Sequence, residues 1–118
     1  MNAAKQLEAP VLKVIHSREP SATSQYFFSE AIRLYNAGLK LHAQQTARLA
    51  LRQARLESSN LLPDIYGFLA QIKEENGQYR LARSYCLQAL KSLDKASPTY
   101  LEDYQYYHLL GFKLQQCN

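Results

Sequence analysis

From Gln25 to Asn36 the apolar residues Phe27, Phe28, Ala31, Ile32, Leu34 and Tyr35 recur at intervals of three and four, which places them on one face of an α-helix. Ala37-Gly38 ends this first predicted helix, because glycine takes the left-handed cap conformation at little cost. A second helix follows over Lys40 to Glu57, rich in the strong helix formers Ala, Leu, Gln and Arg. Ser58-Ser59-Asn60 reads as a loop, and Pro63 suits the first turn of a third helix. That helix carries Ile65, Phe68, Leu69 and Ile72 and stops at Asn76-Gly77. A fourth runs on from Gly77 to about Leu93, with a loop over Lys95 to Pro98. Thr99-x-x-Glu102 has the form of a capping box and predicts the start of a fifth helix, Tyr100 to Gln116. No segment shows the alternation of a strand, so the predicted class is all-α.

Residues 1–24 carry no sustained period and are broken by Pro10 and Pro20. Val11, Leu12, Val14 and Ile15 fit either a short helix or an extended piece. This stretch is read as an N-terminal arm with three alternatives: a cap on the first hairpin, a ligand for the chain's own groove, or a disordered segment. Residues 25–118 are read as one helical domain.

The predicted helices repeat. With Gly38 set on Gly77, 39 positions on, Ala43 falls on Ala82, Ala50 on Ala89 and Leu51 on Leu90. A rival alignment, shifted by 35, pairs Leu34 with Leu69, Ala47 with Ala82 and Ala54 with Ala89. Both offsets suit two-helix units of tetratricopeptide length, and the first also matches the turn glycine. The last helix reads Tyr107-His-Leu-Leu110-Gly111-Phe-Lys-Leu114, and the third has Tyr66, Leu69, Ala70 and Lys73 at the same places. The first has Phe27, Glu30, Ala31 and Leu34 there. On these residues the chain resembles the tetratricopeptide (TPR) helical-repeat family over 25–118. It departs from that pattern in having no tryptophan, and Asp94 stands where a proline commonly ends a repeat.

The resemblance implies a right-handed stack of antiparallel helical hairpins, about two and a half repeats long, that performs no chemistry and holds another protein in a concave groove. In this family the first helix of each repeat lines that groove. Carried over by position, the lining residues are Phe28, Ile32 and Tyr35, then Gly67, Gln71 and Glu74, then His108, Phe112 and Gln115. The chaperone-tail-binding members grip a carboxylate with lysines and asparagines at these places, and none stands here. An apolar helix or extended peptide of another protein is the partner expected. The last unit, a single helix, is expected either to cap the stack or to leave a face for a partner chain.

Tyrosine is abundant, at nine residues, and four of them crowd the last helix. Tyr100, Tyr104 and Tyr107 share one helical face, with Tyr106 about 100° away. One helix cannot bury all four against a single neighbour, so core filling is expected for two and an interaction or self-association face for the others.

The 118-residue length allows one small domain, and the charge of +4 is mild. Arg48, Arg52 and Arg55 form a stripe on the second helix, and Arg80 and Arg83 begin one on the fourth. A solvated outer face accounts for both stripes first, then an acidic protein, with nucleic acid behind. No apolar run reaches the roughly 20 residues of a membrane span, and Glu8 and Pro10 interrupt a signal-peptide core, so no membrane partner is expected. Two cysteines, Cys86 on an apolar stripe and Cys117, neither build a disulfide scaffold nor show metal spacing, which favours the cytoplasm. His16, His42 and His108 lie apart, no glycine-rich phosphate loop is present, and Glu74-Glu75 and Glu102-Asp103 diverge on a helix. No enzyme, metal or cofactor is therefore expected.

The function expected from sequence is a protein–protein adaptor or small chaperone, similar in size and build to the small chaperones and regulators of bacterial secretion systems. Two alternatives stand beside it: a basic helical module binding nucleic acid through its arginines, and a structural homo-oligomer built on the C-terminal helix.

Overall fold

The computed structural model describes residues 20–117. These form five helices: α1 (Pro20–Asn36), α2 (Lys40–Glu57), α3 (Leu62–Glu75), α4 (Tyr79–Lys91) and α5 (Tyr100–Gln116). There is no strand among the described residues. α1 packs on α2, α3 on α4, and α5 on α4, giving a stack of helical hairpins with a lone helix at one end. The molecule measures 44 × 33 × 21 Å, and its thinnest dimension equals two helix diameters of about 10 Å each. It is a two-layer slab, with α1, α3 and α5 in one layer and α2 and α4 in the other.

The two hairpin turns are built alike, bond for bond. At Gly38 (φ 87°) and Gly77 (φ 76°) the chain enters the left-handed region. Gly38 N donates to Tyr35 O (3.0 Å) and Leu39 N to Leu34 O (2.9 Å). At the second turn Gly77 N donates to Glu74 O (3.0 Å) and Gln78 N to Lys73 O (2.8 Å). Each pair is a Schellman motif, which satisfies carbonyls the helix end would leave open. The 39-residue offset is therefore the structural period between these turns. A third left-handed residue, Ser58 (φ 53°), closes α2 with Ser59 N donating to Ala54 O (2.9 Å).

Ala43, Ala47, Ala50 and Ala54 of α2 and Ala82 and Ala89 of α4 are all fully buried. Methyl side chains let the helix axes approach, and the large residues of the other layer fill the space left. Ile65, Leu69 and Ile72 of α3 and Leu114 of α5 are the large side chains so enclosed. Tyr66 is nearly buried and its hydroxyl accepts hydrogen bonds from Arg55 Nε (3.1 Å) and Nη2 (2.9 Å), which satisfies its polar tip. Tyr107 is buried at the α3–α5 seam, where its hydroxyl donates to Pro63 O (3.1 Å). Its ring lies where Gly67 has no side chain: a Cβ there would come within 2.8 Å of the hydroxyl and 2.9 Å of a ring carbon.

Three local expectations change. α1 begins at Pro20 rather than Gln25, because buried Ser24 donates to Glu57 Oε1 of α2 (2.7 Å) and ties the extra turn to the core. Residues 20–24 thus belong to the helical domain, and the reading of the arm rests on residues 1–19, which lie outside the described residues. α4 ends at Lys91, two residues before Leu93, where the Ser92 hydroxyl takes up the Ala89 carbonyl (2.9 Å). The capping box at Thr99 does not form: the Thr99 hydroxyl donates to Asp103 Oδ2 (2.9 Å) and caps no backbone amide. Asp103, one residue beyond Glu102, captures it.

Two stability predictions follow from the turns and from the α3–α5 seam. Ser58→Gly relieves a left-handed residue and gains about 1 kcal/mol, whereas Gly38→Ala or Gly77→Ala loses a similar amount. For a domain of this size each is a shift of about 4–8 °C in Tm by calorimetry. Gly67→Ala forces Tyr107 out of its seat and costs about 1–3 kcal/mol in urea melts, partly recovered when Tyr107→Phe removes the nearest atom.

Candidate functional site

Of the nine residues carried over as groove-lining, Gly67 is the seat of Tyr107 and the other eight fall into two separate places. Phe28 and Tyr35 of α1 both meet Phe68 of α3 edge-on, at ring-centre distances of 5.7 and 5.6 Å. Tyr35 donates its hydroxyl to Glu75, accepts from Gln71 Nε2 (3.1 Å), and lies 5.2 Å beneath the Lys40 ammonium. Lys40 also reaches Glu75 Oε1 (3.3 Å). The bond from Tyr35 holds the Glu75 carboxyl below its ordinary value, and the bond to Glu75 raises the Tyr35 phenol. Glu74 forms an ion pair with Lys113 of α5 (3.9 Å). Of the five predicted residues on α1 and α3, four are engaged with neighbouring side chains, and Ile32 is open to solvent. The seam is a structural joint between α1 and α3.

The other three, His108, Phe112 and Gln115, sit on the opposite flank of α5. They border a shallow cleft with Gly111 and with Arg83, Leu87 and Leu90 of α4. Phe112 is 60% exposed and Leu87 46%. His108 stacks on Tyr104, with ring centres 5.9 Å apart and planes 13° from parallel. Of the four tyrosines on α5, Tyr107 is buried and Tyr100 half-buried, while Tyr104 and Tyr106 are exposed.

Sequence reasoning passed over Leu101 and Leu109, which are 74% and 64% exposed. At about 100° per residue, Leu101, Tyr104, His108, Leu109, Phe112 and Gln115 fall within a charge-free arc of about 140° on α5. All three charges of α5, Glu102, Asp103 and Lys113, lie on the remaining arc. The signal was present in the sequence as charge-free spacing rather than as a motif. Glu102 and Lys113 are exposed at the edge of that arc, and exposed charge also stands on every other helix: Arg33 on α1, Arg48 and Arg52 on α2, Glu75 on α3, Arg80 and Lys91 on α4.

Charge also divides by layer. α2 and α4 carry seven bases and a single acid, Glu57, whereas α1, α3 and α5 together carry six acids and three bases. In the basic layer Arg48, Arg52 and Arg55 line a cleft with Leu51 and with Tyr85 of α4, and Arg55 is already held by Tyr66. A larger cleft of about 400 Å³ opens at the loop end and is lined by Asp64, Asp94, Asp103, Ser97, Thr99 and Tyr100. Burial, and then the nearby Asp103, raise the Asp64 carboxyl. Cys86 is fully buried, and desolvation, followed by Glu74, pushes its thiol up to about 11, so it is no nucleophile at neutral pH. Among the described residues no group of three His, Cys, Asp or Glu side chains could hold a metal ion. No helix among them is long and apolar enough to cross a membrane.

Comparison of the chain with protein-family models, with curated proteins and with solved structures finds no match. The site is therefore read from its own chemistry.

The α1–α3 joint carries a pH signature. A carboxylate whose folded value is lowered adds stability above its unfolded value and loses that stability as pH falls through the folded one. Glu75→Gln is expected to lower Tm at pH 7, with the difference from wild type shrinking as pH falls below the ordinary carboxylate range in parallel scans. Because the cluster is exposed, the effect is small.

Proposed function

We propose that this chain is a TPR-like adaptor or small chaperone that holds an amphipathic helix of another protein against α5 and the adjoining flank of α4. The observation that supports this reading is the uncharged, exposed arc of α5, with Phe112 and Leu87 flanking one cleft. Apolar area left in water is a standing gain for any partner that covers it, and burial of one large side chain is worth about 1.5–3 kcal/mol. Phe112, Leu109 and Leu87 act as anchors. His108 and Gln115 at the cleft border orient the partner by hydrogen bonding. Three anchors supply about 4.5–9 kcal/mol, and an association cost of about 4–15 kcal/mol offsets most of it, so the complex is weak.

The emphasis thereby moves from α1 to α5. Phe28 and Tyr35 are occupied in the α1–α3 joint, and exposing them to a partner would open the core. Both described thiols are unpaired, which supports a reducing compartment such as the cytoplasm. The reading assigns the chain no catalysis.

A displayed library of amphipathic helices tests this. Selected peptides are expected to bind the chain weakly and to lose at least about tenfold with Phe112→Asp, while Ile32→Ala changes binding by less than about twofold. The reverse pattern moves the site to the α1–α3 seam. A library that yields no binder overturns the adaptor reading.

A further inference from the structure

We propose that α5 also docks on α5 of a second copy of this chain, antiparallel, in a two-fold symmetric dimer. The inference rests on the reading of the α5 arc as a docking face and names a specific occupant for it. The first argument is electrostatic. Each copy carries +4, so two copies meeting on a basic face repel. The α5 arc contains no charge, and on it a second copy can approach without setting like charges together. A strongly charged peptide, by contrast, would find nothing on that arc to pair with.

The rim of the face fixes the direction. α5 runs from Tyr100 to Gln116, and His108 stands at its midpoint. In an antiparallel pair centred on His108, residue 102 of one copy comes level with residue 114 of the other. Glu102 and Lys113 lie on the same flank of α5, about 20° apart around the helix. Glu102 of each copy is thereby brought beside Lys113 of its partner, twice by symmetry. In a parallel two-fold pair that flank of each copy would fall on opposite sides of the seam, so neither Glu102 nor Lys113 would find a partner there. Rim charges of this kind choose orientation more than they add affinity.

Size limits the strength. A 17-residue helix is about 25 Å long. With the α4 flank it offers roughly a dozen residues, below the 20–30 a side of a standard interface. The dimer is accordingly weak, with a dissociation constant on the order of 10–100 μM.

Sedimentation equilibrium of the 118-residue chain across that concentration range is the first test. The mass should rise from 13.5 kDa toward twice that value. Phe112→Asp should weaken the dimer at least about tenfold with an unchanged helical circular dichroism signal, and Leu41→Asp on exposed α2 should leave it intact. Lys113→Glu should weaken it, and Glu102→Lys with Lys113→Glu should restore it, which a face for an unrelated partner would not do. In a Cys117→Ser background, Leu101→Cys and Gln115→Cys chains should form a disulfide with each other when mixed, since the antiparallel pair sets 101 level with 115, whereas a parallel pair would set each position against its own copy. A native chain that stays monomeric throughout overturns the inference, as does a dimer that survives Phe112→Asp. If the native chain is monomeric and library peptides still bind, the second-copy inference alone has failed. If neither associates, the adaptor reading has failed with it.

Discussion

Along α2 the side chains facing α1 and α3 end at a methyl group: Ala43, Ala47, Ala50 and Ala54 leave almost no thickness between backbones. α4 repeats the arrangement with Ala82 and Ala89, and Cys86 stands between them as a slightly larger filler. Close approach has two consequences. The large residues of α3 and α5 must interdigitate from the other layer, which sets where Ile65, Leu69 and Leu114 go. The hairpin turns must also be tight enough to bring the second helix straight back, which is why Gly38 and Gly77 share the same Schellman bonds. Any larger residue on the alanine faces would drive the layers apart and undo both.

The polar parts of the molecule follow from that packing. With the alanine faces turned inward, the opposite sides of α2 and α4 meet water and carry the arginines. Acids gather on the other layer, where Glu75 and Glu74 join α3 to Tyr35 and Lys40 on one side and to Lys113 on the other. These bonds consume most of the groups that a groove between α1 and α3 would have offered a ligand. α5 is different because it has a packed neighbour on one side only. An arc of its exposed surface combines aromatic and aliphatic residues with an absence of charge, and a docking function is assigned there for that reason.

Helix positions were readable because apolar spacing and turn glycines are local signals. α2 and α5 were predicted with the boundaries the structure shows, and the offset linking Gly38 to Gly77 is repeated in matching backbone bonds. The misses have local causes as well. Ser24 extends α1 through a bond to Glu57, 33 residues away, which no window on the sequence can see. Thr99 found Asp103 instead of forming the box with Glu102, because both acids lie within reach and the spacing alone does not choose between them. Gly67 was read as a groove position, yet it is the seat of Tyr107, a contact made across 40 residues.

By itself the sequence determined the all-helical class, the hairpin period, the alanine faces and the absence of charge from one side of α5. Each of these is a property of residue type at short spacing, and α-helical geometry converts spacing into faces without further information. Only the tertiary structure decided which faces remain free. Phe28, Tyr35 and Gln71 look as available as Phe112 in a list of groove positions, but α3 lies against the first two, Tyr35 of α1 holds the third, and nothing described lies across the last. Burial is a relation between distant segments, set by how closely the layers approach, and the alanines allow that approach without stating which residues it will cover.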